Sequence, residues 1–229
     1  MPGPDAAGAD RDAPRPVSPE RLPDVLTELL VASAGSAPAG ARAFRVIVDG
    51  APAAGPDRLA DGLVDPLRLR GRPALRVGAR WFLRPASLRL EHGRTDPDAY
   101  YDDWLDAGAL RREVFDPLGP GGSGDFLPTL WDPGTDRATR AGYLAAPPGA
   151  VLLLDGPLLL GHGLAADLTV HLRLSPAALA RRTPAAERWT LPAFARYEAE
   201  VDPAAVADVL IRADDPRHPA ISVSRPASR

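Results

Sequence analysis

Two periodicities run along the chain. Residues 44–49, 151–155 and 168–174 are short apolar runs rich in Val, Ile and Leu, and they predict strands. Between them, apolar positions recur at helical spacing. Leu22, Val25, Leu26, Leu29 and Leu30 predict a first amphipathic helix over 21–31, and a small-residue linker, 32–41, leads to the first strand. Leu59, Leu63 and Leu67 predict a helix over 57–70 that Pro66 kinks or ends early. A short strand at 74–77 follows, then a helix over 106–118 and extended pieces at 126–131 and 141–144. Ser175-Pro176 opens another helix, 191–201 forms a further one, and 207–211 is the last strand before a polar tail. The run 151–155 has no polar alternation, as in a parallel strand covered on both faces. Strands alternating with helices give an α/β fold with a mainly parallel sheet flanked by helices. Residues 1–20 lack any period and read as a disordered tail, and 222–229 as a flexible one, around one domain, 21–221.

The junction between the first strand and the helix after it carries the chemistry. Gly50-Ala51-Pro52-Ala53-Ala54-Gly55-Pro56-Asp57 has the two glycines of a phosphate-binding loop, G-x-x-x-x-G-K-[ST], in the strand–helix setting that loop requires. Pro56 stands at the lysine position and Asp57 at the hydroxyl position. That exchange shifts the local charge by two units toward negative, facing a polyanion. At about 4 Å and an effective dielectric of ~20, each unit contact is worth on the order of 4 kcal/mol before solvation offsets it. Pro52 and Pro56 also remove two main-chain N–H groups from a site built of them. Pro56 suits a first helical position, and Asp57 complements the positive end of the helix dipole in place of a phosphate.

Composition narrows the options. With 45% hydrophobic and 25% charged residues in 229, this is the make-up of an ordinary globular domain. All the basic residues are arginine, so no lysine elsewhere replaces the missing one. A net charge of −3 argues against nucleic-acid binding by the whole chain. The absence of cysteine excludes disulfides, thiolate metal sites and a thiol nucleophile, and fits a cytoplasmic setting. No leader peptide or membrane-spanning run is expected, because the start is polar and proline-rich and Pro147, Pro148, Asp155 and Pro157 break the longest apolar stretch.

Several segments, in order, resemble the uridine kinase family of P-loop nucleoside kinases, particularly its actinobacterial branch. They are Val48-Asp49-Gly50 with the loop, Phe82-Leu83-Arg84-Pro85, Pro97-Asp98-Ala99-Tyr100, Asp116-Pro117-Leu118-Gly119-Pro120-Gly121-Gly122 and Trp131-Asp132. The second half adds Pro147-Pro148-Gly149-Ala150 running into Leu154-Asp155-Gly156, and Arg188-Trp189-Thr190-Leu191-Pro192. The resemblance covers roughly 44–218 and implies a P-loop NTPase-like fold with a shortened lid. It further implies a nucleoside pocket at Asp98, Tyr100, Trp131 and Asp132, and lid arginines at Arg181, Arg182 and Arg188. The family's general base, an aspartate ahead of Phe-x-Arg-Pro, falls on Arg80 or Trp81, neither of which accepts a proton usefully. Loss of such a base costs ~10²–10⁴ in rate.

Three readings follow. One is a catalytically impaired homologue that keeps a nucleoside-like pocket, with no cofactor and no metal. Another is an active Mg-ATP-dependent kinase in which Asp57, Arg58 and Asp155 take unusual catalytic roles. The last is a non-enzymatic partner of another protein. Asp155, at a strand's carboxyl end, reads either as a holder of magnesium-bound water or substrate hydroxyl, or as a turn aspartate before Gly156-Pro157. Eight arginines between 68 and 94, followed by Asp96, Asp98, Asp102, Asp103 and Asp106, read as complementary solvated faces or as a local anion-binding face. His92, His162, His171 and His218 show no metal-ligand spacing and no evident acid partner, and read as structural or exposed.

Overall fold

In the computed structural model, residues 11–224 are described, so residues 1–10 and 225–229 of the expected tails lie outside them. Seven strands form one sheet: β1 (Arg15–Pro16), β2 (Ala43–Gly50), β3 (Ala74–Gly78), β4 (Ala150–Gly156), β5 (Leu168–Arg173), β6 (Val209–Arg212) and β7 (Ala220–Val223). Their order is β1-β7-β6-β5-β2-β4-β3. The five strands from β6 to β3 are parallel, and β7 and β1 close one edge antiparallel. β2 and β4, at the centre, are buried along their whole length, which is why both read as apolar runs, with Arg45 the one polar residue ahead of Asp49 in β2.

The sheet carries a core on each face. Val46 and Val48 of β2 and Val151 and Leu153 of β4 pack with Leu26 and Leu30 of α1 (Leu22–Ala34) and Leu59, Leu63 and Leu67 of α2 (Pro56–Leu69). Ile47, Leu152 and Leu154 point the other way, onto Phe82, Phe115, Leu118 and Phe194. The period of two along each strand therefore decides which helices a polar strand residue faces.

α2 continues through Pro66 to Leu69, so the proline does not end it early. Pro66 lies in the last turn, where its missing N–H removes one helical bond, and its residue i−4 is Gly62, without a side chain. The helix expected over 106–118 is Ala107–Leu110, Arg111–Phe115 and Asp116–Leu118 in succession, the middle piece wound as a π turn. Two boundaries also move. Arg15–Pro16, within the segment expected to be disordered, pairs with Ala220–Ile221, and β7 extends into the expected polar tail. Each is too short to show a period; β7 is held by the edge of β6, and β1 in turn by the edge of β7. No helix among the described residues is long and apolar enough to cross a membrane.

Three further helices frame the site. α3 (Pro97–Asp102) is capped by Asp96, whose carboxylate accepts the Ala99 N–H at 2.7 Å. α4 (Pro176–Arg182) starts from Ser175 as expected, and α5 (Leu191–Glu200) covers the carboxyl ends of the strands on the Ile47 face.

Candidate functional site

β2 delivers the loop at the centre of the sheet, between the carboxyl ends of β4 and β5, where open α/β sheets bind ligands. Gly50 is paired with Leu172, and a Cβ on it would stand 3.0 Å from both the Cβ and the carbonyl oxygen of that residue. Only glycine lets the backbone pass this close. Pro52–Ala54 then wind as one 3-10 turn, Gly55 takes the left-handed conformation at φ 79°, and Pro56 opens α2. The turn uses its own donors: Ala54 N–H gives to Ala51 O at 2.8 Å and Gly55 N–H to Pro52 O at 3.0 Å. Pro52 and Pro56 have none, so of residues 52–56 only Ala53 keeps an uncommitted N–H.

The three residues singled out for catalysis lie around this loop, with Asp57 near enough for its charge to act on Asp155. Asp57 is exposed on the first turn of α2 and makes no side-chain cap bond. The Arg58 guanidinium folds back over Gly55, occupying the space a side chain there would need. Asp155 is neither a turn residue nor a free carboxylate. It is the penultimate residue of β4, and Arg76 of β3 grips it at both oxygens, Nε to Oδ1 at 2.8 Å and Nη2 to Oδ2 at 3.1 Å. The same guanidinium reaches Asp61 of α2 at 2.5 Å. Burial raises the Asp155 carboxyl above its ordinary range; Arg76 opposes this, while the charges of Asp57 and Asp61 add to it. No group of His, Asp and Glu among the described residues is arranged to hold a metal ion. At the base position, Arg80 lies with its guanidinium carbon 4.8 Å from the centre of the Trp81 ring.

Beside the loop is a cavity of about 260 Å³ with Ala51, Pro52 and Ala53 on one side and Tyr100, Trp104, Trp189 and Phe194 on the other. Tyr100 meets Trp104 edge-on at 5.0 Å between centroids and Trp189 at 5.5 Å. Burial, helped by the Glu187 charge, pushes the Tyr100 phenol well above its ordinary range. The Trp104 indole N–H is buried without a hydrogen-bond partner.

Of the four residues expected in a nucleoside pocket, Tyr100 alone lines this cavity. Asp98, also on α3, is exposed and pairs with Arg196 of α5 at 3.4 Å. Trp131 and Asp132 sit on a small hairpin, Trp131–Asp132 against Arg137–Ala138. Trp131 Nε1 gives to Asp136 at 3.0 Å, and Asp132 accepts from Gly134 N–H at 2.9 Å and the Thr135 hydroxyl at 2.8 Å. Asp136 also accepts the Ala86 N–H at 2.8 Å, so the hairpin is tied to the segment after Pro85 and does not line the cavity. Among the lid candidates, Arg182 gives to Ala213 O at 2.7 Å and lines a recess of about 370 Å³ with Arg58, Pro52 and Glu187, while Arg181 and Arg188 are exposed.

A buried network lies beneath the loop on the α5 face. Asp49 is fully buried; its Oδ1 accepts Leu159 N–H at 2.8 Å, and its Oδ2 meets His171 Nδ1 at 2.7 Å and the Tyr197 hydroxyl at 3.1 Å. His171 thus has the acid partner that sequence reading did not find, and His218 has one in Asp215 at 2.9 Å. A signal for the first was present. Asp49 and His171 are polar residues in buried strands, each out of phase with the apolar positions that face α1 and α2.

No family model matches the chain, and no curated protein matches its sequence. Solved structures do. A possible uridine kinase from Bacillus stearothermophilus superposes with a TM-score of 0.65 at 20% identity, over 82% of this chain and 96% of that one. A protein described as a fructose transport system kinase, from Silicibacter sp. TM1040, gives 0.56 at 20% identity, over 80% and 91%. The YGR205w protein gives 0.50 at 9% identity, over 86% and 93%. With the sheet order and the loop at the end of β2, these likenesses show that the chain has the uridine kinase-like P-loop fold.

Proposed function

We propose that this protein binds a planar, nucleoside-sized ligand in the aromatic cavity beside the loop and has lost efficient phosphoryl transfer from Mg-ATP. The loop geometry carries this reading. A phosphate nest needs main-chain N–H groups pointing at the anion; here two of them bond inside the 3-10 turn and two positions are proline. The residues do not fit Mg-ATP in the usual way on two further counts. Arg76 occupies both oxygens of Asp155, and a cation stacked on an indole stands where a carboxylate base would act. Tyr100, Trp104 and Trp189 retain rings suited to stacking, and the unsatisfied Trp104 N–H offers a donor to a base carbonyl. The composition supports a cytoplasmic protein.

Calorimetry with uridine, cytidine and Mg-ATP tests the reading. A nucleoside should bind, and ATP binding tighter than about 100 μM, roughly −5.5 kcal/mol, sinks it. A second reading, an active small-molecule kinase, draws on one observation: Arg58 and Arg182 line the same recess next to Pro52 and Ala53, two cations placed where phosphate charge would lie. It requires ATP-dependent turnover that Asp57→Ala and Arg58→Ala each abolish. If neither nucleoside nor ATP raises the melting temperature, a role through protein contacts takes precedence.

A further inference from the structure

On the α5 side of the loop, the Asp49–His171–Tyr197 network borders a second and larger cavity, of about 480 Å³. Its walls are Leu172 and Leu174 of the β5 end, Leu179 of α4, and Leu191 and Phe194 of α5, with the half-buried Glu198 among its lining residues. The volume is that of an ordinary small-molecule site. His171 is part of the lining, is only 4% exposed, and its Nε2 is buried with no hydrogen-bond partner. Buried polar atoms in folded proteins are overwhelmingly paired, so one left unpaired beside a cavity marks a place for a ligand's polar group.

The network also decides which polar group fits. Tyr197 OH accepts the Leu160 N–H at 2.9 Å, so its own proton goes to Asp49 Oδ2. Leu159 N–H gives to Oδ1. With donors arriving at both oxygens, the carboxylate is an acceptor throughout, and His171 Nδ1 carries the proton of the 2.7 Å contact. In the neutral imidazole the lone pair is then on Nε2, an acceptor with no partner in the protein. No arginine lines the cavity, and the carboxylates of Asp49 and Glu198 oppose an anion. The apolar walls offer no partners to a polyol or a sugar phosphate.

We propose that this cavity binds a neutral, mainly hydrocarbon small molecule bearing one hydroxyl, a phenol or a long alcohol, whose O–H donates to His171 Nε2. The ligand class is distinct from the nucleoside proposed for the aromatic cavity, although the two spaces share Ala51, Leu179 and Phe194 as walls.

The matched pair 4-phenylphenol and biphenyl tests this, because the two differ by the hydroxyl alone. Calorimetry on the full chain should find the phenol bound about tenfold tighter than the hydrocarbon, the factor expected of one net hydrogen bond. Long-range ¹H–¹⁵N spectra, simple with four histidines, should show the Nε2 resonance of His171 moving on addition of the phenol and not of biphenyl. His171→Phe should bind both alike. Ala180→Trp, which fills the cavity from α4 and leaves the network intact, should remove binding of both, and it keeps the test alive if His171→Phe fails to fold. Equal affinities in the native protein, binding of neither probe, an unmoved His171 resonance, or binding that survives Ala180→Trp would overturn the proposal.

Discussion

Arg76 and Asp155, on neighbouring parallel strands, form a two-pronged ion pair, with the Asp155 side chain 94% hidden from solvent and that of Arg76 still 30% exposed. The pair engages both oxygens of the carboxylate that strand position had marked for catalysis. Replacing the arginine by an apolar residue of similar length leaves a buried carboxylate with no counter-charge. Arg76→Met should cost about 2–3 kcal/mol at neutral pH, below the 3–5 of a fully buried pair because Arg76 keeps contact with water. Asp155 already has a folded pKa above its ordinary one, and losing Arg76 lifts it further. A carboxyl of that kind destabilises the fold when ionised, fully above its folded pKa and not at all below its unfolded value of about 3.9. The stability deficit of Arg76→Met, read from urea titrations, should therefore shrink as pH falls toward 4. A deficit constant from pH 7 to 4 contradicts this account.

The Asp49 network predicts non-additive energetics. Tyr197→Phe leaves Leu160 N–H and one lobe of Asp49 Oδ2 without a partner, and should destabilise by about 1–3 kcal/mol. Asp49→Asn turns one acceptor into a donor opposite groups that already donate, and should cost at least as much. Because both variants damage one network, the double variant should lose less than the sum of the two, by about 0.5–3 kcal/mol. Strict additivity in thermal or urea melts argues that Asp49 and Tyr197 do not share the bond the geometry gives them.

The aromatic cavity predicts where nucleoside affinity resides. Stacking on an aromatic ring contributes about 1–3 kcal/mol per base, so Trp189→Ala should weaken uridine binding by about tenfold or more. Trp131→Ala and Asp132→Asn, on a hairpin that does not line the cavity, should leave affinity unchanged. Quenching of tryptophan fluorescence by uridine measures all three, and a larger loss at Trp131 than at Trp189 reverses the assignment.

The difference between Trp131 and Trp189 shows what the sequence could convey. Central strands were legible because burial on both faces makes them mostly apolar, and α2 was legible because its leucines keep a helical period. The course of the loop was legible, since Gly50, Gly55 and Pro56 act locally on the backbone. Pockets were not, because they join side chains distant in the chain: Tyr100 meets Trp189, and Asp49 meets His171 across 122 positions. Asp155 fell between these cases. Its place at a strand end was readable, whereas its capture by Arg76, on another strand 79 positions away, depends on the register of β3 against β4.

The loop itself supports a graded reconstruction. Pro56→Lys with Asp57→Ser shifts the charge near a bound phosphate by two units toward positive and restores a donor N–H at the start of α2. Even with most of the Coulomb gain offset by solvation, ATP affinity should rise by about tenfold or more. Turnover should not follow, because Arg80 cannot take the proton of an attacking hydroxyl and Arg76 still holds Asp155. Adding Arg80→Asp supplies a carboxylate at the base position and should raise phosphorylation of uridine by about 10²-fold over the doubly substituted protein. A coupled ATPase and phosphoryl-transfer assay separates the steps. If the native chain already turns over ATP with uridine, the loop's closed 3-10 turn opens in use, and Arg58 and Arg182 become the phosphate ligands to mutate first.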